Sequence, residues 1–111
     1  MIRVKIDEYE HITHLASLIA QRLKPLKVYL FGSFAEGRNT ADSDYDFYVV
    51  VPDSDQRNTL DLITEAQRSL RHRKNRPVDV LVGTQSHFDR LKNVGITVES
   101  EVARNGVVVY G

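Results

Sequence analysis

A single misplaced acid constrains this chain more than any other feature. Asp46 stands in the run Tyr45-Asp46-Phe47-Tyr48-Val49-Val50-Val51, whose aromatic and β-branched residues suit a strand. An ionised carboxylate in such a strand costs several kcal/mol unless it is paired or holds a cation. Asp44 lies two residues earlier, and residues i and i+2 of a strand share a face, roughly 6–7 Å apart. Asp79 repeats the anomaly inside Val78-Asp79-Val80-Leu81-Val82. Two apolar strands that each carry an acid predict neighbouring strands whose acids converge. Three carboxylates in one space do not all ionise stably without cations. Hard oxygen ligands favour Mg²⁺, or Mn²⁺, over zinc. Two such ions about 3.5–4 Å apart form the arrangement used for in-line phosphoryl displacement.

The remaining elements follow from periodicity. Ile12, Leu15, Leu18, Ile19 and Leu23 recur at helical spacing and predict a helix from about Glu8 to Lys24, stopped by Pro25. Lys27 to Phe31 reads as a strand covered on both faces. Ser33 is placed to cap a short turn that Gly37 closes. Asp44 to Val51 is the next strand. Leu60, Ile63, Ala66 and Leu70 predict a helix from about Asp55 to Arg73, and Val78 to Val82 is a strand ended by Gly83. Ser86 is the expected cap of a short helix containing Phe88 and Leu91, broken by Gly95. A further helical stretch holds Val98 and Val102, and Val107 to Tyr110 is the last strand. Strands alternating with helices predict an α/β (α+β) fold, a small mixed sheet with helices packed on it. At 111 residues, a single domain over 1–111 is expected.

Gly32-Ser33 supplies the complement to the acids. Glycine lets backbone approach a ligand closely, and the following N–H groups open a helical turn suited to phosphate. The Ser33 hydroxyl can donate to a phosphate oxygen, and Arg38 is the nearest cation in the same loop. Gly32-Ser33, the ten residues Phe34 to Ser43, Asp44-Tyr45-Asp46 and the later acid Asp79 together resemble the polymerase-β-like nucleotidyltransferase superfamily, specifically its minimal members. The order of elements matches over nearly the whole chain. Either half of the motif is weak alone; the combination at this spacing is specific.

The resemblance implies transfer of a nucleoside monophosphate from an NTP to a hydroxyl. It implies that Asp44 and Asp46 ligate both Mg²⁺ ions, that Asp79 ligates the metal activating the acceptor and serves as its base, and that Gly32 and Ser33 hold the β- and γ-phosphates of ATP. Glu36 departs from the family pattern, because many minimal members carry a cation in this turn, and Arg38 is the residue placed to compensate. Chains of this size resemble the MntA-like antitoxins of HEPN/MNT toxin–antitoxin pairs. That likeness implies AMP transfer to a tyrosine of a HEPN-type RNase toxin, which the bulky anion would block. The alternatives are a nucleotidyltransferase-like antitoxin that acts by binding alone, and an enzyme for a small acceptor such as an aminoglycoside.

Composition removes other classes. Fifteen Lys and Arg balance fifteen Asp and Glu, so no global field draws the chain to nucleic acid or lipid, and nucleic acid is not expected as a substrate. The absence of cysteine excludes disulfides and thiolate metal sites. No apolar run reaches membrane-spanning length and the first residues show no signal-peptide core, so a cytoplasmic location is expected. Arg68, Arg71, His72, Arg73, Lys74 and Arg76 read as a solvated cationic face at a helix C-terminus. His11 and His14 read as surface histidines, and Tyr9, Tyr29, Phe88 and Tyr110 as core or rim aromatics. Reading Asp42-Ser43-Asp44 as a solvated Asx-type loop would leave Asp46 and Asp79 unexplained.

Overall fold

The computed structural model describes residues 6–111; the segment expected to lack a signal-peptide core lies partly outside them. The elements are α1 (Ile6–Leu23), β1 (Lys27–Phe31), α2 (Ser33–Glu36), β2 (Tyr45–Val51), α3 (Thr59–Ser69), β3 (Val78–Thr84), α4 (Gln85–Leu91), α5 (Val98–Asn105) and β4 (Val107–Tyr110). The strands form one sheet in the order β3-β2-β1-β4. β1 runs antiparallel to β2 and β4, and β2 runs parallel to β3, so the sheet is mixed.

Strand alternation divides the apolar residues between two faces. Val28, Leu30, Tyr45, Phe47, Val49, Val51, Val78 and Val80 point to the side where α1 and α3 pack, with Ile12, Leu15, Ile19, Leu62 and Ala66. Phe31, Tyr48 and Val50 point to the other side, where Phe88 of α4 and Val102 of α5 cover them. The second cover is partial. It reaches Tyr48 and Val50, while on the same face Asp46 is half-buried and Asp79 is exposed. This corrects the expectation of acids enclosed within apolar strands: the acids occupy the open end of a face whose other end is dry.

Several boundaries move for local reasons. α3 begins at Thr59 rather than near Asp55, because Asn58 caps it by accepting from the Asp61 N–H at 2.8 Å. Asp55 instead binds Arg57, whose guanidinium also donates to Leu23 O at 2.7 Å. Ser33 is the first residue of α2 and not its cap; Gly32 holds the cap position at φ +75° with no side-chain bond. Thr84, not Ser86, caps α4 by accepting from the His87 N–H. Ser86 bonds to Asp53 instead. β3 runs through Gly83 to Thr84 because its pairing with β2 continues to Val51, and the position is glycine because the Tyr48 hydroxyl and the His87 ring fill the space of a Cβ.

Candidate active site

The pairing register assembles the site. Asp46 of β2 lies opposite Asp79 of β3 and opposite Phe31 of β1. Phe31 is the last residue of its strand, so the Gly32-Ser33 bend starts directly beside Asp46. Contact is tight enough that a Cβ on Gly32 would overlap the Asp46 carboxylate. Gly32 also needs its positive φ of 75°, which side chains resist. Two independent constraints therefore require glycine here. Inside α2 the first bonded N–H is that of Glu36, to Gly32 O at 3.1 Å.

Asp46 is the electrostatic centre. Burial, then repulsion from Asp79 and from Asp44, raises its pKa to about 6, helped by hydrogen-bonding contact with Asp79 and by the negative charge of Glu101 on α5. The carboxylates thus face one another, as their spacing predicts. Among the described residues no three His, Cys, Asp or Glu side chains are already arranged to hold a metal ion. The donor set is nonetheless all carboxylate oxygen, beside a backbone bend that a side chain would obstruct. That combination fits a hard divalent cation better than any softer one.

Arg38 follows α2, but its guanidinium is on Glu36, at 3.2 Å, and is largely exposed. Glu36 is turned toward Arg38, so the anomalous acid of the turn is partly neutralised.

The residue that sequence reasoning misses is Arg76. It leaves the cationic run and turns inward, lying over the rings of Phe34 and Tyr45 at 5.0 and 5.2 Å. It donates to Ser43 O at 2.9 Å and Ala41 O at 3.3 Å, and pairs with Glu8 at 3.2 Å. The Tyr45 hydroxyl donates to the same Glu8 carboxylate at 3.0 Å. Arg76 therefore fixes the loop that delivers Asp44, which Thr40 and Ser43 fold on themselves through the Thr40 N–H to Ser43 Oγ bond of 2.8 Å. Burial and the Glu8 bond raise the pKa of Tyr45. The sequence signal was a lone arginine just before Pro77 and a strand, indistinguishable from its cationic neighbours.

His11 is likewise corrected. It packs against Tyr45 with its Nε2 buried and unpartnered among the described residues, whereas His14 is exposed as expected. Phe88 is core, Tyr29 stacks on it at 5.5 Å, and Tyr9 and Tyr110 lie at the rim.

The four-stranded mixed sheet carries an acid pair in register beside a glycine bend. The polymerase beta nucleotidyltransferase family model matches residues 13–111, and the chain belongs to that family. No curated protein matches it significantly. Among solved structures it is similar to a Sulfolobus solfataricus protein described as a candidate nucleotidyltransferase, with 22% identity and a TM-score of 0.63 over 93% of this chain and 79% of that one. It is also similar to a chain from a crystal structure of a toxin–antitoxin with AMP-PNP, at 22% identity and TM-score 0.58, covering 93% of this chain and 73% of that one. Identities this low establish the shared fold. Among the described residues no helix is long and apolar enough to cross a membrane.

Proposed function

We propose that residues 1–111 form a minimal nucleotidyltransferase domain that, with Mg²⁺ or Mn²⁺, transfers AMP from ATP to a tyrosine of a HEPN-type RNase toxin in the cytoplasm and thereby neutralises it. The observation that carries this reading is the alignment of Asp46 with Asp79 across a parallel strand pair, directly beside the Gly32 bend. Family membership supports the transfer of a nucleotide, and the toxin–antitoxin neighbour with AMP-PNP supports the partner class.

Asp44, Asp46 and Asp79 would hold the divalent ions, which when bound supply charge neutralisation and Lewis acidity at the phosphate. The protein's own contribution is positioning and preorganised charge. Gly32 and Ser33 would receive the β- and γ-phosphates through backbone N–H groups and the Ser33 hydroxyl. Asp79, the most exposed of the three acids, would accept the proton of an incoming hydroxyl from the solvent side. Arg38 would reach the phosphates by leaving Glu36, an exposed pair of small net worth. That same pair is the observation favouring the second reading, an antitoxin of weak catalysis that acts by binding.

The decisive experiment incubates the protein with radiolabelled ATP, Mg²⁺ and the product of the adjacent gene. Label on that neighbour is expected, and its loss in Asp44→Asn and Asp46→Asn. Stable complex formation without label would support binding alone, and label appearing only on an aminoglycoside would redirect the acceptor.

A further inference from the structure

Asp46 and Asp79 are kept opposite one another by the strand ladder itself. Asp44 has no such support, because β2 begins only at Tyr45. Among the described residues no ion pair engages its carboxylate, which leaves the backbone on either side to aim it. That backbone is gripped twice. Ser43 O accepts from Arg76 at 2.9 Å, and the Tyr45 N–H donates to Pro77 O at 3.1 Å. The dipeptide Arg76-Pro77 therefore holds the residue before Asp44 and the residue after it. Two positions further along, the same segment delivers Asp79.

The guanidinium reaches the other half of the site as well. Phe34 directly follows the Gly32-Ser33 bend, and its ring tilts against that of Tyr45 at 4.8 Å. Arg76 lies over both rings, at 5.0 and 5.2 Å. Its other terminal nitrogen pairs with Glu8 of α1 at 3.2 Å. A planar fork bound at both tips has its plane fixed, which a flexible ammonium would not achieve. One side chain thus sets the spacing between the glycine bend and Asp44.

We propose that Arg76 is a positioning residue that sets the affinity of the site for a divalent ion while touching neither the ion nor the nucleotide. The inference rests on the reading that Asp44, Asp46 and Asp79 hold that ion. Groups that orient metal ligands from behind change affinity by about 10–100-fold when removed. Lysine at this position would keep the charge opposite Glu8 but not the fork that also holds Ser43 O.

The test is Mn²⁺ binding by the full chain, alone and with ATP, read from the enhanced proton relaxation of water when the ion joins the protein. Arg76→Ala should weaken binding at least about tenfold, as Asp44→Asn should, and Arg76→Lys should lose most of it. Arg57→Ala removes a similar carbonyl bond and ion pair beyond the far end of β2, and should leave binding unchanged. Arg76 borders a pocket of about 320 Å³ with Asp7, Glu8, His11 and Asn75, which gives a small cation access. Millimolar guanidinium ion should therefore restore binding to Arg76→Ala, and methylammonium should not. Thermal melting checks each fold; if Arg76→Ala is unfolded at the assay temperature, Arg76→Lys decides. Unchanged Mn²⁺ binding in Asp44→Asn would overturn the reading of the three acids and this proposal with it. Weakened binding in Asp44→Asn, with none in the Arg76 variants or as much in Arg57→Ala, would overturn the positioning role alone.

Discussion

Asp46→Asn should stabilise the metal-free protein while removing its proposed activity, and the stabilisation should depend on pH. The folded carboxyl has a pKa of about 6 against an ordinary 3.8, so folding disfavours its charged form. The sign is fixed by proton binding. Between about pH 4 and 6 the native state holds the proton more tightly than the unfolded one, so stability falls as pH rises, and the loss is complete above the folded value. The interval corresponds to at most about 3 kcal/mol. Solvent reaches the half-buried group, so about 1.5 kcal/mol is the better expectation. Asparagine is nearly isosteric and keeps the contact with Gly32 while carrying no charge. Urea titrations of both proteins with chelator present, at pH 4.5 and pH 8, measure the difference. Near-equal stability at pH 4.5 and an advantage of about 1–2 kcal/mol for the variant at pH 8 are expected. Added Mg²⁺ should raise the melting temperature of the parent and barely affect the variant. A variant less stable at pH 8 than the parent would refute the claim that Asp46 is held against its electrostatic preference.

Gly32→Ala should cost at least about 1–2 kcal/mol, since the residue has φ +75° and its side chain would meet the Asp46 carboxylate; chemical denaturation gives the loss, and ATP binding should weaken in parallel. Arg76→Ala should destabilise by about 2–3 kcal/mol through the unpaired Glu8 and the freed loop carbonyls of Ala41 and Ser43. Hydrogen exchange should rise selectively in residues 38–44. Glu99→Ala should cost about 2–3 kcal/mol, because the buried Tyr48 hydroxyl donates to Glu99 at 2.7 Å and His87 approaches the same oxygen at 3.2 Å. Tyr48→Phe combined with Glu99→Gln should recover part of that loss in a melting assay.

The acids, the bend and the order of elements along the chain were legible because each is a local violation or a local period. An aspartate among valines, a glycine after an apolar run and helical spacing all show within a few residues. The pairing of Asp46 with Asp79 was legible too, once both strands were recognised as apolar. What stayed hidden depends on distance along the chain. Nothing near Arg76 announces that Glu8, 68 positions earlier, will receive it. Likewise, Glu99 looks like an ordinary first-turn acid until Tyr48, 51 positions away, is folded against it. The caps at Thr84 and Ser86 could not be separated locally, since both side chains are competent and the choice rests on how far β3 extends past Gly83. The exposure of Asp79 was missed because the sequence does not show how little of the second face α4 and α5 cover.

The in-step alignment of β2 with β3 carries a consequence for how this chain can vary. Sliding β3 by one residue would send Asp79 among Phe47, Val49 and the helices behind them, and bring Val78 or Val80 out in its place. The oily side of the sheet thus acts as a ruler for the wet side. Insertions or deletions within these strands would be rejected by packing before chemistry was ever tested, and tolerance to length change belongs to the loops on either side.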